Sequence, residues 1–201
     1  MTSKTYIFYN ASHFTIMALT KEIRFHSRGG LGLAVTTQMI VAAFGIDGKY
    51  ASGLPSFGVE RRGSPVTGFV RVDDKPIREK SRVYSPDCLV VMHAPQLKIP
   101  QTFDGLRPNA ILILDAPEMP PEKPHENFKT IAVVDATQIA LEELGRPITN
   151  TCMLGALAGA TKWLKPESVV IALEQYFRGD LLQKNRKCAE RGFQEVNVKE
   201  W

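Results

Sequence analysis

The sequence predicts an α/β fold: a three-layer, mostly parallel sheet with an embedded β-hairpin and a helical C-terminal third. Three observations carry this. Cys88-Leu89-Val90-Val91-Met92, Ala110-Ile111-Leu112-Ile113-Leu114 and Thr130-Ile131-Ala132-Val133-Val134 are short, nearly continuous apolar runs, as found in parallel strands covered on both faces. From Asp135 onward the apolar period changes to that of helices. Near the start, the run Glu22-Ile23-Arg24-Phe25 passes through the glycine-rich stretch His26-Ser27-Arg28-Gly29-Gly30-Leu31-Gly32 into a long uncharged apolar segment, the order strand, turn, helix.

That opening unit is chemically suggestive. The first backbone amides of a helix lack intrahelical partners and together carry about half a positive charge, so an anion can bind where no side chain blocks the approach. Glycine removes the side chain. The spacing is a partial dinucleotide fingerprint: Gly30 and Gly32 supply one G-x-G, and Val35 stands where the full pattern has Gly or Ala. Leu31 to Phe44 then reads as a helix buried on most sides, stopped by Gly45 and Asp47-Gly48. Lys49-Tyr50-Ala51 begins a short second strand.

No regular element explains Gly53 to Pro65. Its glycines and prolines break helix and strand alike, while Phe57, Glu60, Arg61 and Arg62 give it binding chemistry, so it is expected to be an ordered functional loop. Val66 to Asp73 alternates as a half-buried strand, Asp73-Asp74-Lys75-Pro76 turns, and Ile77 to Tyr84 is expected to return as the partner of a hairpin. Four prolines between Asp115 and Lys129 require a surface loop. A helix opens at Asp135 or Thr137 and ends at Gly145. Asn150 to Leu164 is apolar nearly all round, with Gly155 and Gly159 spaced for close approach of another backbone. Pro166 starts a helix running from Val169 to Phe177, and a charged helix follows from Leu181 to Phe193.

With 201 residues the chain is long enough for one domain that buries about 70% of the surface its unfolded form exposes. We divide it into an N-terminal extension, residues 1–21, and a domain, residues 22–201. The extension is too broken by Asn10-Ala11-Ser12-His13 for a signal peptide, and Met17 is an alternative translation start. Lysine and arginine total 25 against 21 acids, dispersed along the chain, which does not argue for nucleic acid. No apolar run reaches the length of a membrane span. Cys88, Cys152 and Cys188 are far apart without metal-site spacing, which suits a reducing, cytoplasmic setting.

Arg28, Arg61 and Arg62 sit in or beside glycine-rich turns, where a guanidinium suits phosphate or carboxylate; ion pairing to Glu60, Asp73 or Asp74 is the plain alternative. His13, His26, His93 and His125 show no ligand spacing, though His26 and His93 each end a strand and so can face a site at the carboxyl edge of the sheet. No nucleophile elbow, catalytic carboxylate pair or phosphate loop with Gly-Lys-Ser/Thr is present, so the chain reads as a component that works with partners. The loop and the apolar helices offer surface for them.

Jointly, several stretches resemble one family. They are Ile23-Arg24-Phe25-His26 with Arg28-Gly29-Gly30-x-Gly32, and Pro55-Ser56-Phe57-Gly58-x-Glu60-Arg61-Arg62-Gly63-x-Pro65-Val66. Phe69-Val70-Arg71 and Asp73-x-Lys75-Pro76-Ile77 follow, then Val134-Asp135-Ala136-Thr137 with Ile139-Ala140, Gly145-Arg146-Pro147, and Asn150-Thr151-x-Met153-Leu154-Gly155-Ala156. In this order, from about Glu22 to about Trp163, the chain resembles the gamma subunit of the 2-oxoacid:acceptor oxidoreductases, the pyruvate/ketoisovalerate:ferredoxin type. It departs at Ser27 and Leu31, where the family usually has Gly and Gln.

The resemblance implies a heteromeric complex that oxidatively decarboxylates a 2-oxoacid onto coenzyme A, with this chain inactive alone. It implies partners of alpha, beta and delta type and a ferredoxin or NAD-reducing acceptor. Thiamine diphosphate, Mg2+ and 4Fe-4S clusters would be held by other subunits, with no cofactor bound by this chain alone. Carried to this sequence, Arg28, Gly29, Gly30, Gly32, Ser56, Phe57, Gly58, Glu60, Arg61 and Arg62 are the candidate coenzyme-binding residues, with no catalytic or metal-binding residue. The alternative is a stand-alone nucleotide- or coenzyme-A-binding α/β module without catalysis.

Overall fold

A computed structural model describes residues 20–55 and 63–201. The described residues form a seven-stranded mixed sheet with five α-helices, in the order β1 (Lys21–Arg28), α1 (Leu33–Ile46), β2 (Tyr50–Pro55), β3 (Pro65–Asp73), β4 (Cys88–Val91), β5 (Ala110–Asp115), β6 (Phe128–Val134), α2 (Ala136–Leu144), α3 (Asn150–Thr161), α4 (Pro166–Leu173), α5 (Gly179–Glu195) and β7 (Asn197–Glu200). Across the sheet the strands run β2-β3-β1-β4-β5-β6-β7. The central four, β1, β4, β5 and β6, are parallel, and the outer three run antiparallel to their neighbours.

Period-two alternation assigns the two faces. Ile23, Phe25, Val70, Cys88, Val90, Ile113 and Ala132 join residues of all five helices in the larger core. Leu89, Val91, Leu112, Leu114, Ile131 and Val133 face the other way. There the third layer is thin: two 3-10 turns, Ala94–Lys98 and Pro100–Phe103, bring Leu97 and Phe103 over the strands, joined by Met119 and Trp201. Two-sided burial is why β4 and β5 carry no alternating polar residues.

The hairpin exists with a different partner. Its strands are β2 and β3, with Leu54 opposite Phe69 and Gly53 opposite Val70, so the ends of the expected loop, Gly53 to Pro55 and Pro65, are strand. Ile77 to Tyr84 is irregular, because both edges of β3 are already taken, by β2 and by β1. That segment is tied down by a buried arginine instead. Arg71 donates Nη1 to Ser81 O at 2.6 Å and Nη2 to Arg82 O at 2.9 Å, while its Nε pairs with Glu22 at 2.7 Å. Glu22 also receives Arg107, which holds Asp87.

Other boundaries moved modestly. Arg28 is still strand, so the glycine turn proper begins at Gly29. α4 ends at Leu173, short of Phe177, and β7 is a strand the sequence did not announce. Every residue of α3 from Asn150 to Gly159 is buried within this chain, so its apolar surface is spent on the domain's own core rather than offered to a partner. Gly155, Gly159 and Gly192 make this packing achievable. A Cβ on Gly155 would lie 1.9 Å from Ala189 O, and one on Gly192 would lie 2.1 Å from Cys152 O.

Candidate functional site

The strand β1 carries its polar side chains to a common end. Ile23, Phe25 and Ser27 share the helix face and Arg24 and His26 the opposite one; Arg28 ends the strand exposed. The chain then reverses through Gly30 (φ 98°) and Gly32 (φ 78°), both in the left-handed region that only glycine enters at no cost. Gly32 is the N-cap of α1 and its carbonyl accepts from Thr36 N at 3.0 Å. No side chain caps this helix, and the same is true of α3 at its N-cap Thr149.

The two helix starts are close together, since a Cβ on Gly32 would lie 3.4 Å from Asn150 Nδ2. Asn150 Oδ1 accepts from Thr151 N at 2.9 Å. Ser27 Oγ and Thr149 Oγ1 are buried without a hydrogen-bond partner among the described residues. The start of α2 differs. Asp135 caps it through Gln138 N at 3.0 Å, and Asp115 accepts from Thr137 N at 3.0 Å and Thr137 Oγ1 at 2.7 Å. Burial pushes the Asp115 carboxyl up, against the pull of those hydrogen bonds. Of these three helix starts at the carboxyl edge, α2 is therefore occupied by the chain's own carboxylates, and α1 and α3 are not.

The glycine turn and the expected loop meet. Gly29 N donates to Ser64 O at 2.8 Å, and Gly63 N donates to Gly29 O at 3.3 Å. Gly63 (φ 94°) lies under the Arg28 guanidinium, where a Cβ would come within 3.0 Å of Nη2. Two stretches separated by more than thirty positions are thus bonded at the mouth of α1. Of the candidate residues, Arg28, Gly29, Gly30 and Gly32 lie at this junction. Ser56, Phe57, Gly58, Glu60, Arg61 and Arg62 lie outside the described residues. The two described carboxylates considered as arginine partners are engaged elsewhere: Asp73 accepts from Thr20 and Lys75 N, and Asp74 pairs with Lys49 at 3.1 Å.

His26, two positions before the end of β1, is held by Arg24, a residue not among the candidates. Arg24 Nε donates to His26 Nε2 at 3.1 Å, and burial together with the neighbouring cation brings the imidazole down to about 3. The signal was present in the alternation, which puts positions 24 and 26 on one face. Among the described residues no three His, Cys, Asp or Glu side chains gather as a metal-ligand set. The three cysteines are buried free thiols, each pushed upward by burial, Cys188 to about 11. No described helix is long and apolar enough to cross a membrane.

Comparison with known proteins places this architecture among the α/β components of multi-subunit oxidoreductases. The family model for pyruvate ferredoxin/flavodoxin oxidoreductase matches residues 22–195. The common gamma subunit of the pyruvate/ketoisovalerate oxidoreductases of Pyrococcus abyssi is 46% identical over 180 residues, covering 88% of this chain and 97% of that one. The gamma subunit of the NADH-dependent phenylglyoxylate dehydrogenase of Aromatoleum evansii is 41% identical over 184 residues, covering 88% and 94%. Among solved structures, the pyruvate oxidoreductase subunit PORC of Thermotoga maritima superposes with a TM-score of 0.79 at 33% identity, covering 90% of this chain and 99% of that one. The chain belongs to the pyruvate ferredoxin/flavodoxin oxidoreductase family, as a gamma-type subunit.

Proposed function

We propose that this chain is the non-autonomous gamma subunit of a cytoplasmic, thiamine diphosphate-dependent 2-oxoacid:acceptor oxidoreductase, and that its glycine turn and adjoining loop help receive coenzyme A. The observation that carries the reading is the near end-to-end correspondence with gamma subunits of pyruvate/ketoisovalerate oxidoreductases. The overall reaction converts a 2-oxoacid, coenzyme A and an oxidised acceptor into an acyl-coenzyme A thioester, carbon dioxide and the reduced acceptor. The substrate is pyruvate, the commonest choice in the family, or a branched-chain, 2-oxoglutarate, aryl or oxalate-type acid, and ferredoxin or an NAD-reducing subunit takes the electrons. Subunits of alpha, beta and delta type hold the thiamine diphosphate, Mg2+ and 4Fe-4S clusters that supply the decarboxylation and electron-transfer chemistry.

This chain contributes charge and shape. Coenzyme A carries phosphates, and a helix start with no side-chain cap beside an exposed arginine suits an anion. What supports a joint role for turn and loop is the Gly29–Ser64 and Gly63–Gly29 pairing, which anchors the loop's end against Arg28. Arg61 and Arg62 would add to that positive field, with Ser56 to Gly58 shaping the contact and Glu60 balancing it.

In the assembled complex, replacing Arg61 and Arg62 together by Ala should raise the KM for coenzyme A about tenfold, equivalent to about 1.4 kcal/mol, or release the subunit on size-exclusion chromatography. Unchanged kinetics with unchanged mass would sink the proposal. Purified alone, the chain should be colourless and turn over no 2-oxoacid. The rival reading, a stand-alone binding module, requires the isolated chain to gain thermal stability with NAD, ATP or coenzyme A.

A further inference from the structure

Over β1 and β3, the sheet face opposite the helices is covered by an arm rather than by a helix. Between β3 and β4 the chain from Asp74 to Asp87 forms no regular element. Structureless connections beyond about 12–15 residues are uncommon inside a compact domain and are usually functional. This one is nevertheless fixed in place. Arg71 of β3, itself only 5% exposed, holds the carbonyls of Ser81 and Arg82, and Val83 is buried beneath the arm as an anchor. Gly105 packs against the next stretch of backbone, where a Cβ would lie 2.0 Å from Tyr84 O.

What this held backbone presents is open to solvent. Tyr84 is 71% exposed, more than any other large hydrophobic residue described. It stands between two clefts: with Arg78 it lines one of about 530 Å³, and with Arg82 it lines another of about 390 Å³. Arg78, Lys80 and Arg82 are exposed as well, and among the described residues none of the three pairs with a carboxylate. The nearby acids are engaged by other cations, Glu22 and Glu79 by Arg71, Asp87 by Arg107 and Asp74 by Lys49. Three cations therefore surround one exposed aromatic ring with no counter-charge of their own.

We propose that this arm docks an acidic face of a neighbouring subunit, with Tyr84 as the central anchor and Arg78, Lys80 and Arg82 pairing with that subunit's carboxylates. Tyrosine and arginine are the residues that most often carry binding energy once an interface desolvates them. A backbone already clamped by Arg71 and Gly105 loses little further freedom on binding, so the contact is preorganised. Opposite charge across the contact speeds encounter and fixes the register of the two surfaces. Three free cations interleaved with acids suit a protein partner; a phosphate backbone engaged through about six to ten contacts would need more of them. The inference rests on this chain's being one subunit of a heteromeric complex, and it is independent of where coenzyme A binds.

The test is hydroxyl-radical footprinting, read by mass spectrometry, of the full chain alone and within its assembled complex. Tyr84 should lose most of its reactivity on assembly. Arg78→Glu, Lys80→Glu and Arg82→Glu together should weaken assembly about tenfold and flatten its fall with rising salt, while the melting temperature of the isolated chain stays the same. Should the triple variant fail to fold, Lys80→Glu alone is expected to lower the affinity several-fold. A Tyr84 as reactive in the complex as in the free chain would overturn the surface. So would a charge-reversed chain that assembles with native affinity, since charge would then not hold the contact. The two readings fail differently: a native chain that assembles with no partner overturns the subunit reading together with this surface, whereas a complex that forms with Tyr84 still reactive overturns this surface alone.

Discussion

His26 shows how one residue's surroundings become a property of the whole protein. Its imidazole is kept neutral by burial first and by Arg24 second, so the folded form resists protonation until about pH 3, against 6.5 for a free histidine. A group whose folded pKa is depressed contributes stability above its unfolded pKa and loses it as the pH falls between the two values. Unfolding free energy measured in urea should therefore drop between pH 6.5 and pH 3 more steeply in the native chain than in His26→Gln, whose amide oxygen can still accept from Arg24 Nε. Equal slopes would show that His26 is not held neutral. Asp115 works in the opposite sense: its raised carboxyl contributes stability that is fully present below the unfolded pKa and is lost as the pH rises through the folded one.

At the level of elements, α3 and α5 pack backbone against backbone, with Gly155 and Gly192 at the contact. Ala at Gly155 would push a Cβ to 1.9 Å from a backbone carbonyl, which no rotamer change relieves. Gly155→Ala should cost about 1–3 kcal/mol, the usual range for forcing atoms into a packed interface. Gly45 provides the control, since it sits exposed within α1 with nothing near its Cβ position. Gly45→Ala should be neutral or stabilising by about 0.5–1 kcal/mol, because a helical glycine loses more backbone freedom on folding than alanine does. The same chemical change with opposite signs, read from denaturant midpoints, separates packing from propensity. Two equal effects would contradict the packing described.

The whole molecule depends on how its sheet ends. β7 closes the β6 edge antiparallel, with Thr130 opposite Glu200, and Trp201 N continues the ladder to Lys129 O at 2.9 Å. Its side chains are exposed, so its contribution lies in backbone pairing and in the packing of Trp201 against the second core. A chain shortened after Val196 would leave the β6 backbone unpaired and should self-associate, visible as concentration-dependent light scattering. A truncated protein that stays monodisperse would show that the edge needs no cover.

Much of this architecture was legible from local pattern. The runs at β4, β5 and β6 were clear because two-sided burial leaves an uninterrupted apolar signature, and the caps Asp135, Gly145 and Pro166 marked helix ends by their own conformational chemistry. The glycine turn was legible for the same reason, since left-handed φ values at Gly30 and Gly32 are a property of the residue. β7 was not, because its alternation is solvent-exposed and its reason to exist is an edge supplied by another strand. The hairpin was paired with the wrong neighbour because Ile77 to Tyr84 alternates loosely on its own, while only the assembled sheet reveals that both sides of β3 are filled.

By itself, the sequence determined the α/β class, the strand–turn–helix at Arg28 to Gly32 and the resemblance to the gamma subunits, all of which rest on interactions or motifs local in the chain. Tertiary structure alone decided that Gly63 and Ser64 close onto Gly29, that α3 is consumed by its own core, and that Arg24 and His26 are buried against each other on the face opposite the helices. Those are contacts between positions distant in the chain or exclusions by a neighbour already in place, and no local pattern encodes which neighbour arrives.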